Sequence, residues 1–343
     1  MIDPRFPGGT SSAFASELKA VRELDIPVTV HAVSSRMFKG REIAPVLQDT
    51  MQKARLTLNW DPEVVSADRV VLQNPAFLKF DDSFGPRILA RDLIVVTHEN
   101  FLRPGGGLSF DVASCLDLID RNSLAIRKWL SPISASNRRT VLDWKSRSPG
   151  HDHWSVLDTD WFNICDFALE PPVARPRDRR GRHSRAGNEK FPTLADLDAC
   201  FPATAEVNVL LGADNFLADG LRRRHWQMVP FRGMPVSRFF ETIDFHVYFT
   251  SPTWRESFGR VLAEAMAAGK VVITDPATAV TFKGGAVSCQ PSEVNEAVGH
   301  FIRHPCKYRE QVTRSQQVLQ EFTADRFRQM FQRMAGVPAE DAA

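Results

Sequence analysis

Short apolar runs alternate with helical patterns along most of the chain, and this alternation restricts the fold more than any other feature of the sequence. Residues 26–30 (IPVTV), 93–97 (LIVVT) and 207–211 (VNVLL) have the length and β-branched content of buried strands. Residues 13–24 and 43–54 have the apolar spacing of amphipathic helices. Strands that alternate with helices predict parallel sheets covered on both faces, so we expect a doubly wound α/β protein.

The remaining predicted elements follow the same alternation. The other predicted strands are residues 70–72, 132–136, 226–229, 246–250 and 271–274. The other predicted helices are residues 110–119, 121–130, 215–223, 235–241, 256–268 and the long segment 307–334. Both halves of the chain therefore have the pattern of a parallel sheet.

The length of the chain and one break in the alternation predict two domains. A chain of 343 residues is too long for one ordinary hydrophobic core and is long enough to form two domains. Residues 170–189 are rich in proline, arginine and glycine and have little apolar content, as expected of an exposed linker or loop. We predict an N-terminal domain at 1–165, a C-terminal domain at 166–320, and a C-terminal helix at 321–343 that packs on the N-terminal domain.

The composition predicts a cytoplasmic protein. Apolar residues make up 43% of the chain and charged residues 24%, as in soluble globular proteins. No apolar run approaches the roughly 18–20 residues that span a bilayer, and the first residues lack a signal-peptide core. The five cysteines are scattered and contain no C-x-x-C pair, which favours reduced thiols over disulfides or a zinc site.

Basic residues cluster although the net charge is only +2. Three interpretations stay open for these clusters: a solvated linker, a site for an anionic ligand, or a peripheral contact with acidic membrane lipid. No aromatic-interleaved basic module accompanies them, so nucleic acid is not an expected partner. The two clusters are Arg175, Arg177, Arg179, Arg180, Arg182 and Arg185, and then Arg222, Arg223 and Arg224.

The segment 250–276 (TSPTWRESFGRVLAEAMAAGKVVITDP) contains the most informative pattern. Its apolar residues recur with helical spacing, and Gly269 follows them where a left-handed cap is expected. Glu256 would begin this helix and Glu264 would lie eight residues later, about 12 Å along the axis. Two such carboxylates could accept from two hydroxyl-bearing parts of one ligand. Glutamates are also common at helix starts and on helix surfaces, so the spacing alone leaves both interpretations open.

The residues of this segment resemble a known signature. Glu256-Ser-Phe-Gly, followed by Glu264-Ala-Met-Ala-Ala-Gly and Val-Val-Ile-Thr, resembles the Glu-x7-Glu signature of the retaining GT-B glycosyltransferases of family four. The resemblance implies two Rossmann-like domains that face a cleft. It also implies that Glu256, with Ser257, Phe258 and Gly259, contacts the transferred sugar and that Glu264 holds the nucleotide ribose.

Further residues match positions that bind the donor in that family. Arg182 and Lys190 resemble the arginine and lysine that bind the diphosphate, although their spacing of eight residues exceeds the common family form. Gly8 and Gly9 resemble a glycine loop whose backbone N–H groups face the donor. His98 follows a predicted strand, where the family often has a histidine beside the donor sugar. The alternative for each is a solvated charge, a simple turn or a structural histidine.

The same resemblance gives the expected activity. We expect a retaining glycosyltransferase that moves a sugar from a nucleotide diphosphate sugar to a saccharide, lipid-linked or other acceptor, in bacterial surface polysaccharide or glycoconjugate synthesis. The alternatives are a GT-B nucleotide-sugar 2-epimerase and a non-catalytic sugar-binding or scaffolding protein. We expect no cofactor and no metal, since Asp158-Thr159-Asp160 has the Asp-x-Asp form but follows no apolar strand.

The first strand departs from the pattern of this fold. It should be central in the N-terminal sheet, yet only Met1–Ile2–Asp3 precedes Pro4, and a central strand usually has about five residues. The two explanations are a start that lies upstream and an incomplete sheet; the first is favoured. No pattern specifies the donor sugar, the base or the acceptor.

Overall fold

The computed structural model describes residues 1–24 and 26–335 and divides the chain into two compact units. Unit 1 comprises Met1–Ile164 and the chain from Phe322 onward, and unit 2 comprises Cys165–Glu321. The boundaries expected from the sequence, 165/166 and 320/321, lie one residue from these divisions. Residues 336–343, assigned above to the C-terminal helix, lie outside the described residues.

Strands and helices alternate in both units. The strands are β1 Val30–Ala32, β2 Leu58–Trp60, β3 Val64–Gln73, β4 Arg87–Thr97, β5 Ser123–Pro132, β6 Trp154–Val156, β7 Arg179–His183, β8 Val207–Leu211, β9 Gln227–Val229, β10 Phe245–Tyr248, β11 Val271–Thr274 and β12 Val287–Ser288. The α-helices are α1 Gly9–Arg22, α2 Pro45–Ala54, α3 Val112–Arg121, α4 Ala135–Lys145, α5 Leu194–Cys200, α6 Asp214–Ala218, α7 Val236–Thr242, α8 Arg260–Ala267, α9 Pro276–Ala279, α10 Val294–Arg303, α11 Pro305–Leu319 and α12 Ala324–Ala335.

Unit 2 contains one continuous parallel sheet with the order β12-β11-β10-β7-β8-β9. The chain begins in the middle at β7, builds outward to β9, then returns to β10 and builds outward on the other side. This is the strand order of the Rossmann fold, and the order reverses between β7 and β10. Ligands of such sheets bind at the carboxyl ends of the strands at this reversal point.

The core of unit 2 forms because the strands are apolar throughout and the helices have one apolar face. Val247 of β10 and Ile273 of β11 are completely buried beside Leu210 of β8. Helices α5, α10 and α11 cover these strands with the buried side chains Leu197, Cys200, Val294, Val298, Tyr308 and Val312.

The sheet of unit 1 is interrupted at its centre. One part is the parallel pair β1-β2, and the other has the order β3-β4-β5-β6, also parallel. Residues 1–3 lie between the two parts, because Ile2 bridges Ala32 while the N–H of Gln73 donates to the carbonyl of Met1 at 2.9 Å. The α-amino group of Met1 donates to the carbonyl of Val71 at 2.6 Å. Three residues therefore occupy the central position of this sheet.

The C-terminal helix belongs to the core of unit 1. Phe327 of α12 is completely buried and meets the Trp161 ring edge-on, with centroids 5.5 Å apart. Arg328 on the same helix forms an ion pair with Glu23 at 2.5 Å. The predicted helix 307–334 is thus two helices, α11 and α12, separated at Gln320–Phe322 by one 3-10 turn.

Two predicted elements before residue 140 are wrong and one is displaced. Residues 121–130 were expected to be helical, but Ser123–Pro132 is strand β5, paired with β4 from Ile88 to Thr97. The predicted strand 132–136 is wrong because Ser134 caps α4, accepting from the N–H of Asn137. The predicted strand 26–30 is displaced, since β1 begins only at Val30 and Pro27 has no N–H for a ladder.

The prediction that residues 170–189 form an exposed linker is wrong in part, because they contain the central strand β7. Arg180 is buried because its guanidinium donates to Asp178, to the carbonyl of Cys200 and to Asn295. Arg179 pairs with the buried carboxylate of Asp244 at 2.7 Å. Paired arginines can lie in a sheet, whereas unpaired ones would stay in water.

No helix among the described residues is long and apolar enough to cross a membrane.

Candidate functional site

The candidate site lies at the carboxyl ends of β7 and β10, where the strand order of unit 2 reverses. The loop after β7 contains Arg185 and Lys190, and the loop after β10 contains Glu256. Helix α8, which follows, contributes Glu264. The Lys190–Glu256 contact connects the two loops, and a contact between His183 and Glu264 connects the end of β7 with α8.

Glu256 lies in a loop and not at the start of a helix, as the sequence had suggested. Helix α8 begins at Arg260, because Gly259 has a φ of 88° in the left-handed region and interrupts the helical path. Phe258 anchors this loop, since it is buried and its ring meets Phe282 at 5.8 Å between centroids. The predicted cap at Gly269 is confirmed, with a φ of 71°. The 12 Å helical spacing therefore does not describe the two glutamates.

Glu256 is held by two donors at the same oxygen. Lys190 Nζ lies 2.6 Å from Glu256 Oε1, and the hydroxyl of Tyr248 donates to that oxygen, also at 2.6 Å. The Lys190 and Glu256 side chains are both largely buried, and Lys190 Nζ lies 5.2 Å from the centroid of the Trp254 ring. The cation and the carboxylate neutralise each other within the site.

The electrostatic surroundings keep Glu256 ionised. Burial raises the pKa of this carboxyl, but Lys190, the Tyr248 hydroxyl and the charge of Arg185 outweigh burial and lower it below its usual value. Burial and the neighbouring carboxylate raise the pKa of Tyr248 well above its ordinary value. Tyr248 is therefore a neutral donor that keeps Glu256 in place.

Arg182 lies inside unit 2, beneath the loop that carries Lys190. Its side chain is fully buried, and its guanidinium donates to the carbonyls of Phe249, at 2.9 Å, and Lys190. The guanidinium carbon stands 4.0 Å from the centroid of the Phe191 ring. Burial lowers the pKa of Arg182 to about 10, so the group stays a cation at neutral pH. Arg182 therefore holds the loop after β7 and the loop after β10 through their backbone carbonyls.

Arg185 is the more accessible cation of this loop. Its side chain is 52% exposed and forms an ion pair with Glu189 at 2.7 Å. Its charge also acts on Glu256 and Tyr248, so it lies close to the site. In the sequence, Arg185 stands out only as one member of an arginine cluster.

Glu264 is positioned by a chain of two buried histidines. His183 Nε2 lies 3.0 Å from Glu264 Oε2, and His183 Nδ1 lies 3.1 Å from Nε2 of His246. The other oxygen of Glu264 lies 3.4 Å from Nε of Arg260. About a quarter of the Glu264 side chain remains exposed, at 26%. A partly exposed carboxylate held from behind is suited to accept hydrogen bonds from a ligand.

The predicted residues of unit 1 lie at the carboxyl ends of its strands. Gly8 has a φ of 87° and caps α1, which begins at Gly9, and both glycines are exposed. His98 directly follows β4, and its Nε2 lies 2.6 Å from Oε1 of Gln73. Burial lowers the pKa of His98 to about 3, so this ring is neutral near pH 7.

The Asp-x-Asp segment has other partners. Asp160 accepts from Nε of Arg138 at 2.7 Å. Within the described parts of the chain, no group of three or more histidine, cysteine, aspartate or glutamate side chains is arranged to hold a metal ion.

Unit 2 thus brings together Lys190, Glu256 and Glu264, while Gly8, Gly9 and His98 belong to unit 1. Sequence reasoning missed the site neighbours Arg185, His183, His246 and Tyr248. A signal exists for His246 and Tyr248, because polar side chains in the buried apolar strand β10 need partners. Their partners come from distant segments, which a single sequence does not reveal.

The fold is similar to that of solved glycosyltransferases. Anabaena Alr3699/HepE, solved with UDP and glucose, has a TM-score of 0.62 at 14% identity, with 98% of each chain covered. A trehalose-6-phosphate synthase has a TM-score of 0.56 at 11% identity, with 99% of each chain covered. An alpha-glucosyltransferase solved with UDP has a TM-score of 0.55 at 11% identity, covering 97% of this chain and 98% of that one.

No protein-family model matches the chain, and no curated protein matches it in sequence. Identities of 11–14% to the solved structures establish the fold and no more. The protein has the GT-B fold, built from two Rossmann-like α/β domains.

Proposed function

We propose that this protein is a glycosyltransferase that uses a nucleoside diphosphate sugar as donor and binds it at the carboxyl end of the unit 2 sheet. One observation carries the proposal: the Lys190–Glu256 ion pair and the exposed side of Glu264 lie together at the reversal point of a Rossmann-type sheet. The GT-B fold supports it, because the similar structures named above are glycosyltransferases, two of them solved with UDP.

The two cations of the site suit a diphosphate. A diphosphate brings more negative charge than one carboxylate, so it would draw Lys190 Nζ away from Glu256 while Tyr248 keeps that carboxylate in place. Glu256 would then accept a hydroxyl of the sugar. As the glycosidic bond breaks, charge builds up on the departing diphosphate, and a fixed cation stabilises it.

We propose Arg185 as the second diphosphate ligand in place of Arg182. The Arg182 guanidinium is fully buried and donates to two backbone carbonyls, so binding a diphosphate would require this core to open. Arg185 is half exposed and its partner Glu189 is a surface carboxylate, which costs little to replace. Arg182 then supports the loop that carries Lys190.

The other roles are extensions of this proposal. Ser257, Phe258 and Gly259 shape the loop around the sugar, and Glu264 accepts from the ribose. In unit 1, Gly8 and Gly9 offer backbone N–H groups to an anion, and neutral His98 offers a ring nitrogen to a sugar hydroxyl. Transfer would proceed with retention, as in the glycosyltransferase family that the Glu-x7-Glu pattern resembles.

The acceptor and the cellular role follow from the same resemblance. We propose a saccharide or lipid-linked acceptor, used in the cytoplasm for bacterial surface polysaccharide or glycoconjugate synthesis. Contact with the inner face of the membrane would use exposed cations such as Arg222 and Arg224. Flotation with acidic vesicles tests this contact, and the absence of the protein from the floating fraction at low salt refutes it.

Two other functions make different predictions. A nucleotide-sugar 2-epimerase would turn over the donor without any acceptor. A non-catalytic sugar-binding or scaffolding protein would bind the donor without turnover.

Donor binding and transfer can be measured in sequence. A thermal-shift screen against nucleoside diphosphate sugars identifies the donor, and a radiolabelled form of that donor then measures transfer to saccharide and lipid-linked acceptors. We expect Glu256→Gln to lower the transfer rate by roughly 100-fold, because the carboxylate charge is lost at the reacting sugar. The matched control is Glu310→Gln, which removes an exposed Lys307–Glu310 ion pair in the same unit.

Two results would overturn the proposal. One is the absence of any shift with every nucleoside diphosphate sugar for a folded protein. The other is transfer by Glu256→Gln at the rate of the wild-type protein.

A further inference from the structure

The two histidines behind Glu264 form a directed chain of hydrogen bonds. His183 ends β7 and His246 lies in the neighbouring strand β10, and the sheet brings His183 Nδ1 to 3.1 Å from His246 Nε2. The chain ends at Glu264 Oε2, 3.0 Å from His183. Both histidines are buried, and Phe239 and Phe240 contact the His183 ring.

The direction of the chain follows from what each atom can donate. A carboxylate only accepts, so His183 must present Nε2–H to Glu264. In a neutral ring, Nδ1 of His183 is then an acceptor, and it requires a proton on Nε2 of His246. Burial, helped by the nearby His183 and Arg182, lowers the pKa of His246 far below its ordinary value and keeps that ring neutral.

This arrangement leaves one atom without a partner. Nδ1 of His246 is buried and has no hydrogen-bond partner among the described residues. A buried nitrogen without a partner destabilises the folded protein. This row of hydrogen bonds therefore destabilises the fold at His246 and holds the carboxylate of Glu264 in place at its other end. Such a combination is typical of functional sites.

We infer that His183, held by His246, is a positioning residue that fixes Glu264 as a hydrogen-bond acceptor for ribose, so that the site selects ribonucleoside over deoxyribonucleoside diphosphates. This inference rests on the proposed function. The His183 hydrogen bond at Oε2 stops the carboxylate from rotating, and its exposed side is then already oriented when the ribose arrives. Each ribose hydroxyl that meets a fixed carboxylate gains a charge-assisted hydrogen bond.

Calorimetry with UDP, 2′-deoxy-UDP and 3′-deoxy-UDP measures this selection in the full chain. For the wild-type protein, we expect at least one deoxy compound to bind about tenfold more weakly than UDP. His183→Leu should bring that ratio close to one, because Glu264 loses its fixed orientation. His183→Gln places an amide donor near the position of Nε2 and should keep most of the selection.

Two controls separate positioning from a merely structural role. His304→Leu, at an exposed position in the same unit, should leave the ratio unchanged. If His183 only stabilises the core, His183→Leu lowers the melting temperature while the ratio of the dissociation constants stays at its wild-type value. That result would overturn the inference and leave the proposed donor site intact. Failure of the folded wild-type protein to bind UDP or any other nucleoside diphosphate would overturn both.

The direction of the chain has a spectroscopic test that needs no ligand. Long-range ¹H–¹⁵N spectra of the imidazole rings should show His246 as a neutral ring with the proton on Nε2. A proton on Nδ1 of His246 would reverse the chain and contradict the inference.

Discussion

The two sheets of this protein are connected in the same order, but only the sheet of unit 2 is continuous. In unit 2 the central strand β7 has five residues, and it carries Arg182 and His183 into the candidate site. In unit 1 the central position is filled by three residues, and the sheet is divided into a pair and a group of four. The centre of the unit 2 sheet is thus a strand paired on both sides, whereas the unit 1 sheet is divided into two parts at its centre.

Two ionisable groups are buried beside the centre of the unit 1 sheet. A cavity of about 440 Å³ lies beside Met1, and its lining includes Glu17, Val71 and Phe327. Burial lowers the pKa of the Met1 α-amino group to about 5 and raises the pKa of Glu17 to about 7. At the sheet centre of unit 2, by contrast, the Asp244 carboxylate is paired with Arg179, and the buried Arg182 guanidinium donates to two backbone carbonyls. The comparison predicts that unit 1 is the more sensitive to pH and to cavity-forming substitutions.

Phe327→Ala should give the largest loss of stability. This side chain is completely buried, packs on Trp161 and already borders the cavity, so truncation enlarges a void that the core cannot fill. We expect a loss of about 4 kcal/mol in the free energy of unfolding. Hydrogen exchange followed by peptide mass spectrometry should show faster exchange in α1 and α12, with the strands of unit 2 unchanged. Equal acceleration in both units would contradict the separate cores.

Glu17→Gln should remove much of the pH dependence of unit 1. The pKa of Glu17 is raised from 4.5 to about 7, so its contribution to stability is fully present below pH 4.5 and is lost as the pH rises to 7. Above pH 7 the variant should be more stable than the wild-type protein by up to about 3 kcal/mol, and below pH 4.5 the two should agree.

Urea unfolding of both proteins from pH 4 to pH 8 measures this difference. The Met1 α-amino group, with its pKa lowered, acts in the opposite direction, since stability is lost as the pH falls from 8 to 5. Because both proteins keep that group, the difference between them isolates Glu17. A difference that does not change with pH would show that Glu17 is not a buried, protonated carboxyl.

A pair of aspartates tests how well each unit compensates its buried charges. Asp244 in unit 2 accepts hydrogen bonds from Nε and Nη2 of Arg179, a side chain only 22% exposed. Asp92 in unit 1 accepts from Arg127, which is 51% exposed. We expect Asp244→Asn to lower the free energy of unfolding by about 2 kcal/mol. Asp92→Asn should lower it less, because the exposed Arg127 side chain can reorient into the solvent. The reverse order in denaturant unfolding would contradict this account of the central strand.

Arg185→Gln should have the smallest effect on stability and a clear effect on the donor. Its side chain is half exposed and its ion pair with Glu189 is at the surface, so the free energy of unfolding should change by less than about 0.5 kcal/mol. Donor affinity should fall about tenfold, because one charge-assisted contact to the diphosphate is lost. Arg238→Gln, which removes an exposed Arg238–Glu241 pair in the same unit, is the matched control. If Arg185→Gln binds the donor with unchanged affinity, then a residue other than Arg185 makes the second diphosphate contact.

The sequence predicted the class of the fold because alternation of strands and helices is a local property. It did not identify β7, because three arginines in five residues are typical of a solvated segment. Their partners Asp244, Asn295 and the carbonyl of Phe249 lie 65 or more residues away. These distant partners allow the arginines to be buried. A short stretch of sequence does not include the partners, so its composition does not reveal the burial.

The candidate site shows the same limit. The residue pattern singled out Lys190, Glu256 and Glu264, and unit 2 brings them to one end of its sheet. The bonds that hold them come from Tyr248 and His183, which have no recognisable spacing to the residues they position. The predicted start of the helix was also wrong. The left-handed conformation of Gly259 stops the helix from extending toward the amino terminus, so α8 begins at Arg260, four residues after Glu256.

A crystal structure of the protein with UDP tests the central claim most directly. The account predicts a phosphate oxygen of UDP within hydrogen-bonding distance of Lys190 Nζ, the Lys190–Glu256 contact of 2.6 Å lengthened, and the ribose against Glu264. UDP bound elsewhere in the protein, with the Lys190–Glu256 ion pair intact and Glu264 without a ligand contact, would contradict it.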